Sequence, residues 1–257
     1  MLKHFLKSCA VILLSLLLAS NIQAGINFDG TDDFVSTVDF GMDSGNITFS
    51  VWVNGVDTAT SRNIVCAGTS TNWNVRINLT LADKFSFAVT TTTPTTYAAT
   101  DTTAYTSGWH HILGVKNGTS IYLYVDGIQV ASNTTLTTGD LRAAGVTDIG
   151  RMSGAGYYSN DITEVAIWNT NLTDSEIALL ANSRIKGIPL QIQPSALKGY
   201  WPVDDQEAGT SANGTNNVKD LSGNSNHGSG NYGANATGLT WQGESVLSYP
   251  SGIIGSQ

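Results

Sequence analysis

Apolar and polar residues alternate with a period of two over much of this chain. In the segment NITFSVWVN, Ile47, Phe49, Val51 and Val53 fall on one face. The same alternation recurs in KFSFAV and in WNVRINLT, where it places Trp73 on one face with Val75, Ile77 and Leu79. Such alternation is typical of strands that bury one side. Turn-forming residues recur about every ten residues, as in an all-β sandwich. The pattern therefore predicts an all-β fold of two antiparallel sheets.

The clearest hairpin lies in the segment SIYLYVDGIQV. Ile121, Leu123 and Val125 alternate up to the dipeptide Asp126-Gly127, and alternation resumes after it. Asp-Gly favours two-residue turns of the primed types, which match the twist of the flanking strands. The segments TDIG and DITEVAIWN predict two further strands.

One short helix is predicted on the C-terminal side of these strands. In NLTDSEIALLANS, Thr173 and Glu176 have the spacing of a capping box, in which each residue satisfies a backbone amide near the helix start. Ile177 and Leu180 then begin an apolar stripe. We expect the helix to end near Ser183, and the segment IPLQIQP after Gly187 to form an extended connector.

The first 24 residues resemble an export signal. Lys3 and Lys7 precede a short apolar run, and small residues stand before Gly25. This order predicts a secretory signal peptide at residues 1–24, because the apolar run is too short to span a bilayer comfortably. An uncleaved membrane anchor is the alternative. After cleavage we expect no membrane insertion and a location outside the cell or at its surface.

The charge and cysteine content narrow the classes of partner. The 257 residues carry 20 acidic and 12 basic groups, for a net charge of −8. This balance argues against binding to nucleic acid or anionic membranes, since both require positive charge.

Signal cleavage would leave Cys66 as the one cysteine, without an internal disulfide partner. Stability must then come from the core or from metal ions.

An ordered set of segments resembles a known superfamily. The segments are INFDGTDDFVST, ITFSVWVNG, GWHHILGVKNGTSIYLYVDGIQV, TDIGR and ITEVAIWNTNLTDSEIALL. Together they are similar to the laminin G-like, or concanavalin A-like, lectin and glucanase superfamily, above all to its bacterial and phage members, and more distantly to pentraxins. The resemblance implies a jelly-roll sandwich over residues 25–190.

The remaining residues, 191–257, contain elements that many members carry at the other end. Segments similar to LKGYWPVDD and DLSGNSNHG precede the FDG strand in those members, whereas here they follow the helix. We therefore expect this tail to dock on the sandwich and complete it, as a circularly rearranged single domain. Sandwiches tolerate such changes because their termini often lie close together. A truncated second domain is the alternative.

No enzymatic activity is expected. Members of the superfamily that hydrolyse glucans carry two glutamates and an aspartate at E-x-D-x-x-E spacing, which supplies the carboxylate pair of a retaining glycosidase. Here Glu164 is followed by Ala166 where the aspartate would stand, and Glu176 belongs to the helix cap. A degenerate hydrolase is the third and last reading.

Two aromatic groups could contact a sugar. Tyr157 and Tyr158 lie in a glycine-rich loop near Arg151 and Asn160, and we predict these four residues as ligand-binding, although the tyrosines could instead pack locally. A second set of aromatic residues falls on the strand face opposite the aliphatic core, where it forms a groove or is covered by the tail: Trp52, Tyr122, Tyr124 and Trp168.

A structural calcium ion is expected as a cofactor. Calcium prefers carboxylate and carbonyl oxygens from loops. Asp29 and Asp32, with Asp33 beside them, follow the first strand, while Asp161 and Glu164 flank a late strand that lies near the first in the fold that the chain resembles. We predict a metal site at Asp29, Asp32, Asp161 and Glu164.

These observations favour a secreted, non-catalytic module that recognises a glycan or an extracellular protein. The alternative is a structural or adhesion subunit of a cell-surface or viral assembly. Edge strands that are rich in threonine and lack lysine would allow lateral association into a homo-oligomer.

Overall fold

The structure is a computed structural model that describes residues 25–42, 45–55, 61–69, 71–105, 107–143, 145–182, 187–204, 210–232 and 238–242. The predicted signal peptide, residues 1–24, lies outside the described residues. Within the described ranges, no helix has the length and apolar character needed to cross a membrane.

Strands make up most of the regular structure. They are β1 (Ile26–Asp29), β2 (Phe34–Ser36), β3 (Ile47–Asn54), β4 (Arg62–Gly68), β5 (Trp73–Leu79), β6 (Phe85–Thr90), β7 (Thr96–Thr100), β8 (Trp109–Asn117), β9 (Ser120–Val125), β10 (Ile128–Asn133), β11 (Thr147–Ile149), β12 (Ser159–Trp168), β13 (Leu197–Trp201), β14 (Gly214–Val218), β15 (Gly228–Asn231) and β16 (Thr240–Trp241). Helix α1 spans Asp174–Asn182, and a 3-10 helix spans Ile188–Gln191.

The strands form two antiparallel sheets of eight strands each. Sheet A has the order β10-β9-β8-β3-β12-β1-β16, with β13 also paired to β12. Sheet B has the order β14-β15-β2-β11-β4-β5-β6-β7. This architecture confirms the predicted all-β jelly-roll sandwich with a single helix on the C-terminal side.

The main core fills the space between the sheets. Alternate residues of each strand point inward, because successive side chains of a strand face opposite sides. Phe49 and Val51 of sheet A and Val75 and Ile77 of sheet B belong to this cluster of fully buried residues. The sheets approach closely at Gly114, where the ring of Phe87 occupies the space that a Cβ atom would fill.

A helical layer covers the outer side of sheet A. Ile177 and Leu180 of α1 pack with Trp168 and Leu113 in a second apolar cluster. The indole nitrogen of Trp168 donates a hydrogen bond of 2.8 Å to the carbonyl of Ile192. The structure thus covers part of the predicted outer aromatic set with residues that follow β12.

Two local predictions are confirmed and one is wrong. The backbone amide of Thr173 donates to the Glu176 carboxylate at 2.8 Å, as a capping box requires. Asp126 and Gly127 have φ angles of 51° and 80°, as in a primed hairpin turn. The segment after Gly187 is not extended as predicted, because Gly187 takes a left-handed φ of 78° and a proline in the first turn suits a helix start.

The strands after α1 belong to both sheets. β13 pairs with β12 and β16 pairs with β1 in sheet A, while β15 pairs with β2 in sheet B. Between β13 and β15, Asp220 accepts hydrogen bonds from the backbone amides of Tyr200, Ser222 and Asn226, which is the arrangement of an Asx-type turn. Circular rearrangement, as the origin of this order, stays a prediction.

The side chain of Trp201 tests whether these late strands stabilise the sandwich. Trp201 is fully buried in the main core. Trp201→Ala should lower the free energy of unfolding by about 3–5 kcal/mol, because it removes a large buried ring. The matched control, Leu81→Ala at a side chain that is 72% exposed, should change it by less than about 0.5 kcal/mol. Equal denaturant midpoints for both variants would contradict an integral role.

His111 is buried beneath the helical layer on sheet A. Its Nε2 atom lies 2.8 Å from the hydroxyl of Ser50, and the side chain is fully buried. Burial lowers the pKa of His111 to about 4, partly opposed by the charge of Asp126. The folded protein therefore holds this imidazole neutral, whereas the unfolded chain protonates it near pH 6.5.

This difference predicts a loss of stability in acid. The contribution of His111 to the free energy of unfolding is complete above pH 6.5. It falls by about 3 kcal/mol in total as the pH decreases towards 4. Urea unfolding of the wild type and of His111→Gln at several pH values isolates the effect of His111, because all other groups titrate in both proteins. The wild type should lose more stability between pH 7 and pH 4. Parallel pH profiles would show that His111 titrates normally in the folded state.

Candidate polar face for ligand binding

The outward side of sheet B carries polar and small residues. Register places Ser36, Asp148, Cys66, Arg76 and Ala88 side by side across five strands. We define the polar face by these residues and their outward neighbours: Phe34, Asn63, Trp73, Asn74, Asn78, Ser86 and Thr90. The helical layer lies on sheet A, so the polar face is on the opposite side of the sandwich.

The core positions these residues. Val75 and Ile77 point inward, and Asn74, Arg76 and Asn78 must therefore point outward. The polar residues of WNVRINLT are the sequence signal for this face. Trp73 was expected to share the inward side with Val75.

The expectation for Trp73 is wrong. Its ring lies against Arg76, with the guanidinium carbon 4.4 Å from the ring centroid. Trp73 is the first residue of β5, and the pairing register with β4 shifts opposite it, between Ala67 and Gly68. Such an irregularity re-aims a side chain relative to the regular alternation. The indole therefore joins the polar face and leaves the core.

Three asparagines of the polar face are buried with unused hydrogen-bonding capacity. Asn63 donates to the carbonyl of Gly156 at 3.3 Å, and Asn74 donates to the carbonyl of Met42 at 3.1 Å. The Oδ1 atoms of Asn63, Asn74 and Asn78 receive no hydrogen bond within the protein. These oxygens have almost no accessible surface, so the three asparagines shape the polar face from beneath.

Two arginines stack on aromatic rings of this face but differ in their charge partners. Arg151 lies over the ring of Phe34 and donates from Nε to the Asp148 carboxylate at 2.7 Å. Arg76 lies over Trp73 and makes neither a hydrogen bond nor an ion pair with any described residue. Burial lowers the pKa of Arg76, but a guanidinium stays charged in proteins.

The predicted sugar-binding residues do not form one group. Arg151 belongs to the border of the polar face through Asp148, and half-buried Tyr157 follows Gly156, which bonds Asn63. Tyr158 is fully buried and donates from its hydroxyl to the carbonyl of Gly55 at 2.9 Å. The prediction for Tyr158 is therefore wrong, because a ring without accessible surface cannot stack on a sugar.

Asn160 lies near Tyr158, since both side chains contact Gly55. It belongs to β12 of sheet A and pairs in register with Phe28 of β1. Its φ of 97° is unusual for a residue other than glycine, and its amide contacts Gly55. The structure therefore places Asn160 in sheet A, whereas Arg151 borders sheet B.

Three carboxylates converge after β1. Asp29, Asp32 and Asp33 each place an oxygen within 4.8 Å of the others. Asp33 is fully buried; its Oδ2 accepts the amide of Asp29 at 2.8 Å, and its Oδ1 receives no hydrogen bond. Burial, followed by the charges of Asp29 and Asp32, raises the pKa of Asp33 to about 6. A buried carboxylate without a full set of donors fits a cation.

The other two predicted metal ligands lie elsewhere. Asp161 accepts hydrogen bonds from the side-chain amides of Asn27 and Asn54, at 2.9 and 3.0 Å. Glu164 is buried and accepts the hydroxyl of Tyr200 at 2.7 Å. The predicted set of four ligands is thus not brought together, and Asp33 replaces Asp161 and Glu164 beside Asp29 and Asp32.

A separate groove of about 410 Å³ lies on the outer side of sheet A, beside the start of α1. Tyr122, Asn117, Gln129 and Asp174 are among its lining residues. Tyr124 also lines it and donates to Asp174 at 3.0 Å. The predicted outer aromatic set is therefore divided, because the helical layer covers Trp168 and leaves Tyr122 at the groove.

The sequence also matches a family model. Laminin_G_3, of the concanavalin A-like lectin/glucanases superfamily, matches residues 29–178, which is more than half of the chain. The chain belongs to this superfamily. The resemblance inferred from the ordered segments is thereby confirmed.

Solved structures share the fold at low sequence identity. A putative carbohydrate-binding protein from Bacteroides ovatus aligns with a TM-score of 0.58 and 17% identity, over 86% of this chain and 60% of that one. Domain 4 of an extracellular GH43 arabinanase from Geobacillus stearothermophilus, solved with arabinotriose, aligns with a TM-score of 0.51 and 18% identity, over 61% of this chain and 75% of that one.

A pentraxin aligns less well. The heptameric SAP-like pentraxin from Limulus polyphemus has a TM-score of 0.49 and 15% identity, over 62% of this chain and 82% of that one. Among curated proteins, none matches the sequence.

Proposed function

We propose that this protein is a secreted, non-catalytic module that binds a glycan on the polar face of sheet B. The observation that carries the proposal is the Trp73–Arg76 pair, which is partly exposed among the polar residues of this face. The guanidinium of Arg76 offers hydrogen-bond donors to sugar oxygens. A partly exposed indole supplies apolar surface for a sugar ring.

Two structural neighbours support a carbohydrate ligand. The Bacteroides ovatus neighbour is described as a putative carbohydrate-binding protein, and the arabinanase domain was solved with arabinotriose. Both align with TM-scores above 0.5. The fold they share with this chain is therefore compatible with sugar binding.

The arrangement of acids supports a non-catalytic role. Glycosidases of the common type need two carboxylates flanking the scissile bond. Within the described strands of the polar face, Asp148 is the one carboxylate, and Arg151 holds it at 2.7 Å. Glu164 lies on sheet A, bound to Tyr200.

A structural or adhesion subunit remains the alternative function. Strand β7 ends sheet B, and its exposed residues include Thr96 and Thr100 but no lysine. Such an edge can pair with another copy of the chain. A protein that binds no saccharide and forms concentration-dependent oligomers would support this alternative.

A glycan array with two aromatic variants tests the proposal and its location. Trp73→Ala should weaken binding by about tenfold or more, because it removes the aromatic platform for the sugar and leaves the guanidinium of Arg76 without its stacking partner. Tyr122→Ala, in the groove on sheet A, is the matched control and should bind as the wild type does. Circular dichroism of each variant confirms that it is folded.

The two variants give distinct outcomes. Loss of binding in Tyr122→Ala alone would place the site in the groove and reject the polar face. Equal binding by all three proteins would also reject it. A blank array for the wild type would reject glycan binding by this module.

We also propose that the loop after β1 binds one structural calcium ion. Asp29, Asp32 and Asp33 would supply carboxylate oxygens, as calcium prefers. The buried and unbonded Oδ1 atom of Asp33 supports a cation rather than solvent at this position. Gly238 packs directly on the Asp33 carboxylate, so the ion would tie the first strand to a late segment.

Calcium should stabilise the protein through this loop. Calcium in large excess over its Kd should raise Tm by about 5 °C. The increase should be smaller below pH 6, where a proton competes for Asp33, whose pKa is raised to about 6. Asp33→Asn should abolish the increase, and Asp140→Asn, at an exposed aspartate, should retain it. The same Tm for the wild type with chelator and with millimolar calcium would contradict the site.

A further inference from the structure

Arg76 lies in the middle of the polar face and has no counter-charge among the described residues. It sits between Cys66 of β4 and Ala88 of β6, so its immediate strand neighbours carry no carboxylate. Burial raises the pKa of the Cys66 thiol to about 12, and this thiol is therefore neutral at physiological pH. A partly buried charge is unfavourable unless a partner neutralises it.

Other arginines show that the lack of a partner is specific to Arg76. Arg151, on the same face, is neutralised by Asp148. Arg62 donates to the carbonyl of Gly30 and Arg142 donates to the carbonyl of Thr71, at 3.1 and 3.2 Å. Arg76 alone among these four makes no hydrogen bond or ion pair within the described structure.

Trp73 holds the guanidinium of Arg76 in a defined orientation. The guanidinium carbon lies 4.4 Å from the centroid of the indole, and stacking on an aromatic ring restricts the orientations of a guanidinium. A planar guanidinium with free nitrogens matches the two oxygens of a carboxylate. The face therefore offers one site for an anion, at the guanidinium of Arg76.

We propose that the polar face selects saccharides that carry a carboxylate, with Arg76 as the group that binds it. This inference rests on the proposed glycan binding and names the class of sugar. Uronic acids and sialic acids share this chemistry. The net charge of −8 disfavours a polyanion, so we infer a chain with one carboxylated sugar at Arg76.

Calorimetric titration of the full chain tests the inference on matched ligands. The probes each carry at most one carboxylate: the methyl glycoside of galacturonic acid and its methyl ester, and sialyllactose and lactose. At least one acid should bind about tenfold or more tightly than its neutral counterpart, because the ester and lactose lack the anion. The pair that shows this difference identifies the source of the carboxylate, and added salt should reduce the difference.

Variants of Arg76 separate charge from geometry. Arg76→Gln should remove the preference for the acid, and Arg76→Lys should restore only part of it, since lysine lacks the planar fork. Lys198→Gln, which removes a positive charge from β13 of sheet A, should keep the full preference. Arg76→Gln should unfold close to the wild-type temperature, because Arg76 makes no hydrogen bond to lose.

The outcomes distinguish this inference from glycan binding itself. Equal affinity of the wild type for acid and neutral forms would overturn the inference and leave glycan binding in place. An acid preference that persists in Arg76→Gln would also overturn it. Binding of no saccharide at all would reject both proposals. If Arg76→Gln does not fold, the comparison of acid and ester on the wild type decides.

Discussion

The apolar layer between the two sheets positions every group on the polar face. Because side chains alternate along a strand, burying Val75 and Ile77 forces Asn74, Arg76 and Asn78 to the other side. These five positions cannot slip by one residue without placing a charge in the core. A ligand that binds there meets side chains that the core already holds in place, so little ordering is needed on binding.

The outer faces of the two sheets differ in what covers them. On sheet A, helix α1 and the 3-10 helix bury Trp168 and Tyr200 and leave a narrow groove. On sheet B, the outward residues are short or polar, and two arginine–aromatic pairs stand among them. The described helices pack on sheet A, and on sheet B the Trp73–Arg76 pair keeps part of its surface exposed.

The fold could be predicted because its signals lie between residues that are close in sequence. The sites could not be predicted fully, because they depend on contacts between residues that are far apart in sequence. Alternation, the Asp126-Gly127 turn and the capping box of Thr173 act over a few residues, so the sequence displays them directly. Tyr158 was misjudged because a glycine-rich loop gives no sign of which of two adjacent tyrosines turns inward. Asp161 and Glu164 found amide and hydroxyl partners on distant strands, which spacing alone cannot reveal.

The arrangement of the opening strands has a consequence for synthesis of the chain. β1 lies between β12 and β16, and β2 lies between β11 and β15. Ile26 can therefore pair with Trp241 only after synthesis has reached β16. Hairpins such as β4–β5 and β8–β9 can close early, because their partners are close in sequence. Strand β1 is thus made long before either of its partners, and it must wait for β12 and β16 before it is enclosed in sheet A.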